Sequence, residues 1–243
     1  MTTNQTSGRR GLVWAIVGGL VLIAGVGAID VSSLPAQPAP GPTGSASPTS
    51  SAPTSITPPS TRDVVDASVV DQGWLPEPIT TEREVYIRAA LEAAATFDTQ
   101  KSARKEWLDY LDTWFTPDTR YAEADRADRM KAAQLELRQG VVLPQEEWDS
   151  LANEEGRVVA TTTGDLAYVP VTDDTSGDMS IGTSDVTLTF TRSDGSGGET
   201  SYEEQVRVSV QVLCGPGSVP TPDSAQRAGD CKVVRYFTEP LEP

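Results

Sequence analysis

The sequence predicts an α+β protein in which N-terminal helices pack on a C-terminal, four- or five-stranded antiparallel sheet with a cone-like shape. Apolar residues recur at helical spacing between about residues 80 and 156, and they alternate with polar residues after residue 157. Because the helices precede the strands, they are expected to cover one face of the sheet. An unbroken apolar run at residues 11–29 adds one transmembrane helix, which a disordered linker follows.

The N-terminal residues have the charge pattern of a membrane anchor. The helix predicted at residues 11–29 rises about 29 Å, which matches the hydrocarbon thickness of a bilayer. Arg9 and Arg10 precede it and favour a cytoplasmic tail at residues 1–10. The alternative is a cleavable signal peptide with the small-residue sequence Val-Gly-Ala at 26–28, but the apolar core of such peptides is usually about 7 to 15 residues long. The sequence therefore predicts a single-pass protein of the cell membrane whose C-terminal domain is extracytoplasmic.

A tether rich in Pro, Ser and Thr is predicted at residues 30–61. Its composition leaves too little apolar surface to offset the entropy that ordering would cost, so it is expected to be disordered. Residues 62–79 contain more apolar side chains than a linker needs, among them Val64 and Trp74. This extended segment is expected to pack on the domain at residues 80–243 or on a partner.

Two apolar helices open the predicted domain. The first begins at Thr81, which has the capping-box spacing to Glu84, and extends through Phe97. The second carries large apolar side chains on one face. It ends before Pro117, because proline disfavours a helical conformation in the residue that precedes it.

Two more helices follow. Asp118 is expected to cap the third helix, which reaches about Gln139 and ends at Gly140. Pro144 suits the first position of a short fourth helix, which ends near Gly156.

The remainder of the sequence has the pattern of strands. Val186, Leu188 and Phe190 alternate with threonines, which predicts one apolar and one polar sheet face. The glycine-rich residues 194–198 predict the turn of a hairpin. The predicted strands are residues 157–163, 166–172, 186–191, 202–214 and 231–238.

Cys214 and Cys231 are separated by 16 residues and lie near the ends of two predicted strands. Because thiols oxidise outside the cytoplasm, the sequence predicts a disulfide between them. A redox-active pair is the less favoured alternative, since the short Cys-x-x-Cys spacing that tunes a reactive thiol is absent.

Composition excludes several classes of function. From residue 31 onward, 17 Lys and Arg oppose 34 Asp and Glu, and the resulting net charge of −17 repels nucleic-acid phosphates. The sequence contains no histidine, which excludes histidine-based catalytic triads and zinc sites. The sequence therefore predicts no catalytic residue, no cofactor, no metal site and no direct binding of nucleic acid.

Two groups of acidic residues have alternative interpretations. Asp173, Asp174 and Asp178 lie in a glycine-bearing loop that could hold calcium, but their order does not match the Asp-x-Asp-x-Asp-Gly loop. A solvated turn is predicted instead. Glu154 and Glu155 are adjacent on a predicted helix and point in different directions, so no pair of carboxylates sharing a proton is expected there.

Four aromatic residues in and after the second helix form a candidate pocket or partner surface. Trp107, Tyr110, Trp114 and Phe115 could line the cavity that a curved sheet and its helices enclose. At helical spacing such residues usually belong to the core, which is the favoured interpretation. Tyr110 lies off the main apolar stripe and is expected to be partly exposed.

The order of these elements resembles a known family. An alanine-rich helix from Ala89 to Phe97, a tryptophan-bearing segment from Glu106 to Leu111 that closes at residues 115–118, and the strand meander together resemble nuclear transport factor 2-like domains. With a single-pass anchor and tether, the layout resembles the inner-membrane scaffold proteins of type IV secretion systems and their actinobacterial conjugation relatives. The resemblance is architectural and covers about residues 80 to 240. The wider family includes enzymes and ligand binders, so the fold alone does not select a function.

These observations predict a non-catalytic bitopic membrane protein that presents an extracytoplasmic domain for the assembly of an envelope or conjugative secretion complex. Its expected partners are other membrane or envelope proteins, the membrane itself through residues 11–29, and a second copy of the chain in a homo-oligomer. The alternative is a tethered module that binds a lipid or another small apolar molecule. A hydrolase or isomerase that uses only carboxylates is a third hypothesis, which no spaced pair of acids supports.

Overall fold

The computed structural model of the chain describes residues 63–242, which form an α+β fold of helices followed by a curled antiparallel sheet. This architecture confirms the predicted fold class. The predicted transmembrane helix at 11–29 and tether at 30–61 lie outside the described residues. Within residues 63–242, none of the helices combines the length and the apolar character that crossing a membrane requires.

The described residues form four α-helices, one 3-10 helix and five strands, and the strands pair in the order β1-β2-β3-β4-β5. The helices are the 3-10 helix Ala67–Gln72, α1 Arg83–Ala93, α2 Arg104–Asp112, α3 Glu123–Gly140 and α4 Gln145–Asn153. The strands are β1 Phe97–Asp98, β2 Arg157–Val169, β3 Met179–Ser193, β4 Glu199–Leu213 and β5 Lys232–Phe237.

Helix α1 is shorter than the sequence predicts at both ends. The Thr81–Glu84 capping box is wrong, because the helix starts at Arg83 and the hydroxyl of Thr80 accepts the backbone N–H of Glu82 at 3.0 Å. The helix stops at Ala93, and Phe97 lies in strand β1.

Helix α2 also ends before the predicted proline boundary. It stops at Asp112, and the chain then runs beside β5, where Val233 N–H bonds to Trp114 O at 2.9 Å and Thr116 N–H bonds to Val233 O at 2.8 Å. These sheet-like bonds take the place of further helical ones. They hold the two aromatic residues that follow the helix against the sheet.

Helices α3 and α4 differ from the prediction at their first residues. Asp118 does not cap α3, whose N-cap is Ala122. The Asp118 carboxylate instead accepts a hydrogen bond from the Arg120 guanidinium. The predicted end at Gly140 agrees with the structure. Pro144 is the N-cap of α4 and not its first helical residue.

The first two predicted strands are one strand. Strand β2 pairs with β3 along its length, and the register shifts between Thr163 and Ala167. Gly164 lies in this bulge with φ of 71°, a conformation that favours glycine. Strand β3 starts at Met179, well before the predicted residue 186, because its polar first half pairs with β4 as regularly as its second half.

Helix α1 packs directly on the sheet. A Cβ atom at Gly182 of β3 would lie 2.8 Å from Cδ1 of Ile87, so the absence of a side chain allows the close approach. The sheet face that α1 covers is therefore the face of the even-numbered residues of β3. Beside it, Phe97 stacks on Trp148 at 4.2 Å between ring centroids, and Trp107 packs against both rings.

The disulfide is present in the structure. The Sγ atoms of Cys214 and Cys231 lie 2.01 Å apart. Cys214 directly follows β4 and Cys231 directly precedes β5, so the bond closes the connection between two neighbouring strands.

Candidate functional site

An apolar groove of about 470 Å³ lies on the sheet face that α1 covers, beyond the C-terminal end of that helix. It is open to solvent. Strands β3 and β4 supply one wall, and α1 with the loop between α3 and α4 supplies the other. The lining residues are Leu91, Ala94, Ala95, Phe97, Gln139, Gly140, Val141, Val142, Leu143, Pro144, Val158, Val186, Leu188, Phe190, Glu204, Val206, Arg207, Val208, Phe237 and Thr238.

The sheet wall follows from the strand pattern. Val186, Leu188 and Phe190 alternate along β3 and therefore share one face. In the register of β3 and β4, Val186 lies opposite Val206 and Leu188 lies opposite Glu204. Cross-strand neighbours project to the same side of a sheet, so the apolar row of β3 and the side chains of β4 form one continuous surface.

The helix wall ends early, and this leaves the surface open. Helix α1 has 11 residues and rises about 16 Å, whereas the 15 residues of β3 extend about 50 Å. One short helix cannot cover the whole strand pair. Val206 is consequently 37% exposed although it lies in an apolar row.

The groove contains one charge that is not compensated. Arg207 borders the groove through its backbone, but its side chain lies on the opposite sheet face with its cross-strand neighbour Asp185. Its hydrogen bonds to the carboxylates of Asp185 and Glu242 raise its pKa. Glu204 is exposed, and among the hydrogen bonds and ion pairs of residues 63–242 none involves its carboxylate. The groove therefore combines apolar walls with a free negative charge.

The four aromatic residues that the sequence singles out lie elsewhere. Trp107 and Trp114 are fully buried and Phe115 is nearly so, and all three belong to the hydrophobic core. Tyr110 is half-buried, stacks on Trp74 at 5.1 Å between ring centroids and donates a 2.7 Å hydrogen bond to Leu75 O. The residues that line the groove do not include these four.

The sequence analysis does not predict that these residues line a groove, although the strand pattern contains an indication of it. The alternation of β3 and β4 shows which side chains share a face, but it does not show how much of that face α1 leaves uncovered. Glu204 interrupts the row in which Val206 and Val208 follow at the same spacing. A charge in such a row indicates a position that solvent reaches.

The acidic groups of the sequence lie in turns and ion pairs. Asp174 accepts the backbone N–H groups of Ser176 at 3.0 Å and Met179 at 2.9 Å, so its oxygens organise the turn before β3. Glu154 pairs with Arg192 at 2.8 Å. In the described part of the chain, no three side chains are arranged to hold a metal ion.

Comparison with known proteins finds distant structural likenesses. The sequence matches no protein-family model and no curated protein sequence. The structure is similar to an IcmL-like type IV secretion system protein from Legionella pneumophila, with a TM-score of 0.39 and 11% identity over 67% of this chain and 95% of that one. It is also similar to CagV, a VirB8 homolog of the type IV secretion system of Helicobacter pylori, with a TM-score of 0.28 and 16% identity over 55% of this chain and 78% of that one. At these scores, neither likeness carries a function to this chain.

Proposed function

We propose that this chain is a non-catalytic, bitopic membrane protein whose extracytoplasmic domain binds partner subunits of an envelope or conjugative secretion complex. The observation that carries the binding role is the solvent-open apolar groove between α1 and the β3–β4 pair. An open apolar surface rimmed by polar residues is typical of a recognition site.

The groove's chemistry defines the partner. Its walls favour an apolar segment, because burial of apolar surface is worth about 25 cal/mol per Å². Glu204 favours a cation beside that segment, since it has no partner among the described residues and lies next to Val206 on the same face. The proposed partner segment therefore carries Leu, Ile, Val or Phe side chains with a Lys or Arg next to them.

The membrane topology in this proposal rests on the sequence. The apolar run at residues 11–29, preceded by Arg9 and Arg10, supplies the anchor and its orientation, and residues 30–61 supply the tether. The secretion role rests on the resemblance of this layout to the scaffold proteins of such systems. In this account the groove is the surface through which the anchored domain recruits another subunit.

The test is affinity purification of the full-length protein from crosslinked membranes, followed by mass spectrometry of the proteins recovered with it. Val206→Glu places a charge in the groove. Val159→Glu is the matched control, because Val159 is also an exposed strand valine, at 50%, and pairs with Thr189 on the opposite face of the sheet. We expect the wild type and the control to recover a transfer ATPase or polytopic channel subunits, and Val206→Glu to lose them. Equal recovery with both variants would contradict the proposal.

A second candidate function is the binding of a small apolar molecule. The groove volume of about 470 Å³ lies within the roughly 300–1,000 Å³ of ligand pockets, which is the observation that favours it. Native mass spectrometry of the purified protein separates the two functions. A bound ligand would appear as added mass that Val206→Glu removes and Val159→Glu keeps, whereas a protein-binding groove would carry no such mass.

A further inference from the structure

Residues 63–79 form a strap that lies on the domain just before α1. Its two ends pair with each other, since Val65 N–H bonds to Glu77 O and Ile79 N–H bonds to Asp63 O, both at 2.8 Å. The 3-10 helix Ala67–Gln72 lies between these ends. Everything N-terminal to the domain is connected to it through this strap.

The strap is fastened by a buried ion pair. The Glu77 carboxylate accepts Lys232 Nζ at 2.8 Å and Tyr86 Oη at 2.6 Å. The side chains of Glu77 and Lys232 are 0% and 1% exposed. A buried carboxylate and ammonium are tolerated only when both are paired and hydrogen-bonded, so the strap's position depends on this cluster being complete.

A second element completes the cluster. The loop 215–230 between β4 and β5 places Thr221 and Gln226 beside the ion pair. Thr221 Oγ1 accepts Lys232 Nζ at 2.7 Å, and Gln226 Nε2 donates to the Glu77 carboxylate at 3.1 Å. Cys214 and Cys231 close this loop at its two ends.

A backbone hydrogen bond also connects the end of the loop to the end of the strap. Cys231 N–H bonds to Thr80 O at 2.8 Å, directly after the strap, and Lys232 follows Cys231 in sequence. One half of the disulfide is therefore adjacent both to the strap's end and to the lysine that holds Glu77. The bond restricts the conformations of the loop that delivers the other two partners.

We propose that the disulfide-closed loop 215–230 is a redox-controlled clasp that holds the strap in the oxidised protein and releases it on reduction. A dithiol supplies two electrons and two protons to the Cys214–Cys231 bond, the S–S bond breaks, two thiols form, and the dithiol becomes a disulfide. The freed loop gains conformational entropy and withdraws Thr221 and Gln226. The ion pair then loses two of its hydrogen-bond partners and becomes hydrated, so the strap detaches while the sheet remains.

The test is hydrogen–deuterium exchange of the full-length protein in detergent, before and after treatment with dithiothreitol, with free thiols verified by mass. We expect exchange in peptides from residues 63–79 to accelerate about tenfold or more on reduction, while peptides from β3 and β4 keep their protection. The double variant Cys214→Ser, Cys231→Ser should reproduce the reduced pattern without any reductant.

Two results would overturn the proposal. The strap could keep its oxidised protection once both thiols are free, which would show that other contacts, such as the stacking of Trp74 on Tyr110, hold it without the clasp. The strap and the β3–β4 peptides could instead lose protection together, which would show that the disulfide supports the whole domain. Glu77→Gln in the oxidised protein is a positive control, because it removes the charge that holds Lys232 and should accelerate exchange in the strap more than in the β3–β4 peptides.

Discussion

Lys232 and Glu77 form a 2.8 Å ion pair with both side chains buried, although 155 positions separate them in the sequence. Lys232 is the first residue of β5, and Glu77 belongs to the strap before α1. The ammonium also donates to Thr113 O at 2.7 Å, so the pair joins the strap, the end of α2 and the sheet.

Removal of one partner of this pair should be strongly destabilising. Glu77→Ala leaves the Lys232 ammonium buried without a counter-charge. Breaking a buried ion pair in this way lowers the unfolding free energy by about 3–5 kcal/mol. Urea denaturation followed by circular dichroism measures the loss. The double variant Glu77→Leu, Lys232→Met should be more stable than either single variant, and additive losses would contradict the ion-pair interpretation.

Stability should fall at alkaline pH because of buried tyrosines. Burial, with a further contribution from the nearby Glu77 charge, raises the pKa of Tyr86 and Tyr236. A group whose folded pKa is raised contributes stability that is present below its unfolded pKa, about 10, and is lost as the pH rises further. Burial lowers the pKa of Lys232. Its titration therefore raises the stability as the pH rises toward the unfolded pKa of about 10.5, which opposes the effect of the tyrosines.

The measurement is the urea midpoint between pH 8 and pH 11. We expect the unfolding free energy from these titrations to decline above about pH 10, and we expect Tyr236→Phe to reduce the slope of that decline by up to about 1.4 kcal/mol per pH unit. The same substitution removes the hydrogen bond from Tyr236 Oη to Ala90 O, so it should lower the stability at pH 8 as well. An unchanged slope would contradict the assignment.

A side chain at Gly182 should displace helix α1. In Gly182→Ala the new Cβ lies 2.8 Å from Ile87 Cδ1, and overpacking of this kind costs about 1–3 kcal/mol. Thermal denaturation measures the cost. Ile87→Ala removes both close atoms, Cδ1 at 2.8 Å and Cγ2 at 2.9 Å, so Gly182→Ala should cost less in the Ile87→Ala background than in the wild type. An equal cost in both backgrounds would place the strain elsewhere.

Helix α1 also protects the free edge of β2. The Glu92 carboxylate accepts hydrogen bonds from the backbone N–H of Thr162 at 2.9 Å and from the Thr162 hydroxyl at 2.7 Å. Glu92→Ala should therefore expose an unpaired strand edge and increase concentration-dependent self-association, which sedimentation velocity detects. Glu84→Ala on the same helix is the control, because it removes only an exposed pair with Arg88 and should leave the protein's sedimentation unchanged.

The sequence predicts the local part of this fold better than the long-range part. The β3 alternation of Val186, Leu188 and Phe190 identifies the apolar sheet face, since a strand's pattern reports its own surroundings. The Glu77–Lys232 pair was not predicted, because 155 positions separate the two residues and no local pattern around Glu77 indicates that its carboxylate is buried against β5. The groove was missed for a related reason, as the uncovered area depends on where α1 ends against the sheet.

The most direct test of the groove's role is photo-crosslinking from position 206 of the full-length protein in its native membrane. A photoreactive amino acid replaces Val206, and the same residue at position 159 is the control on the opposite sheet face. The account predicts an adduct from position 206 with an apolar segment that carries Lys or Arg, and its loss when Glu204→Lys is added. Equal adducts from both positions, or an adduct that Glu204→Lys leaves unchanged, would contradict the proposal that this groove recruits the partner.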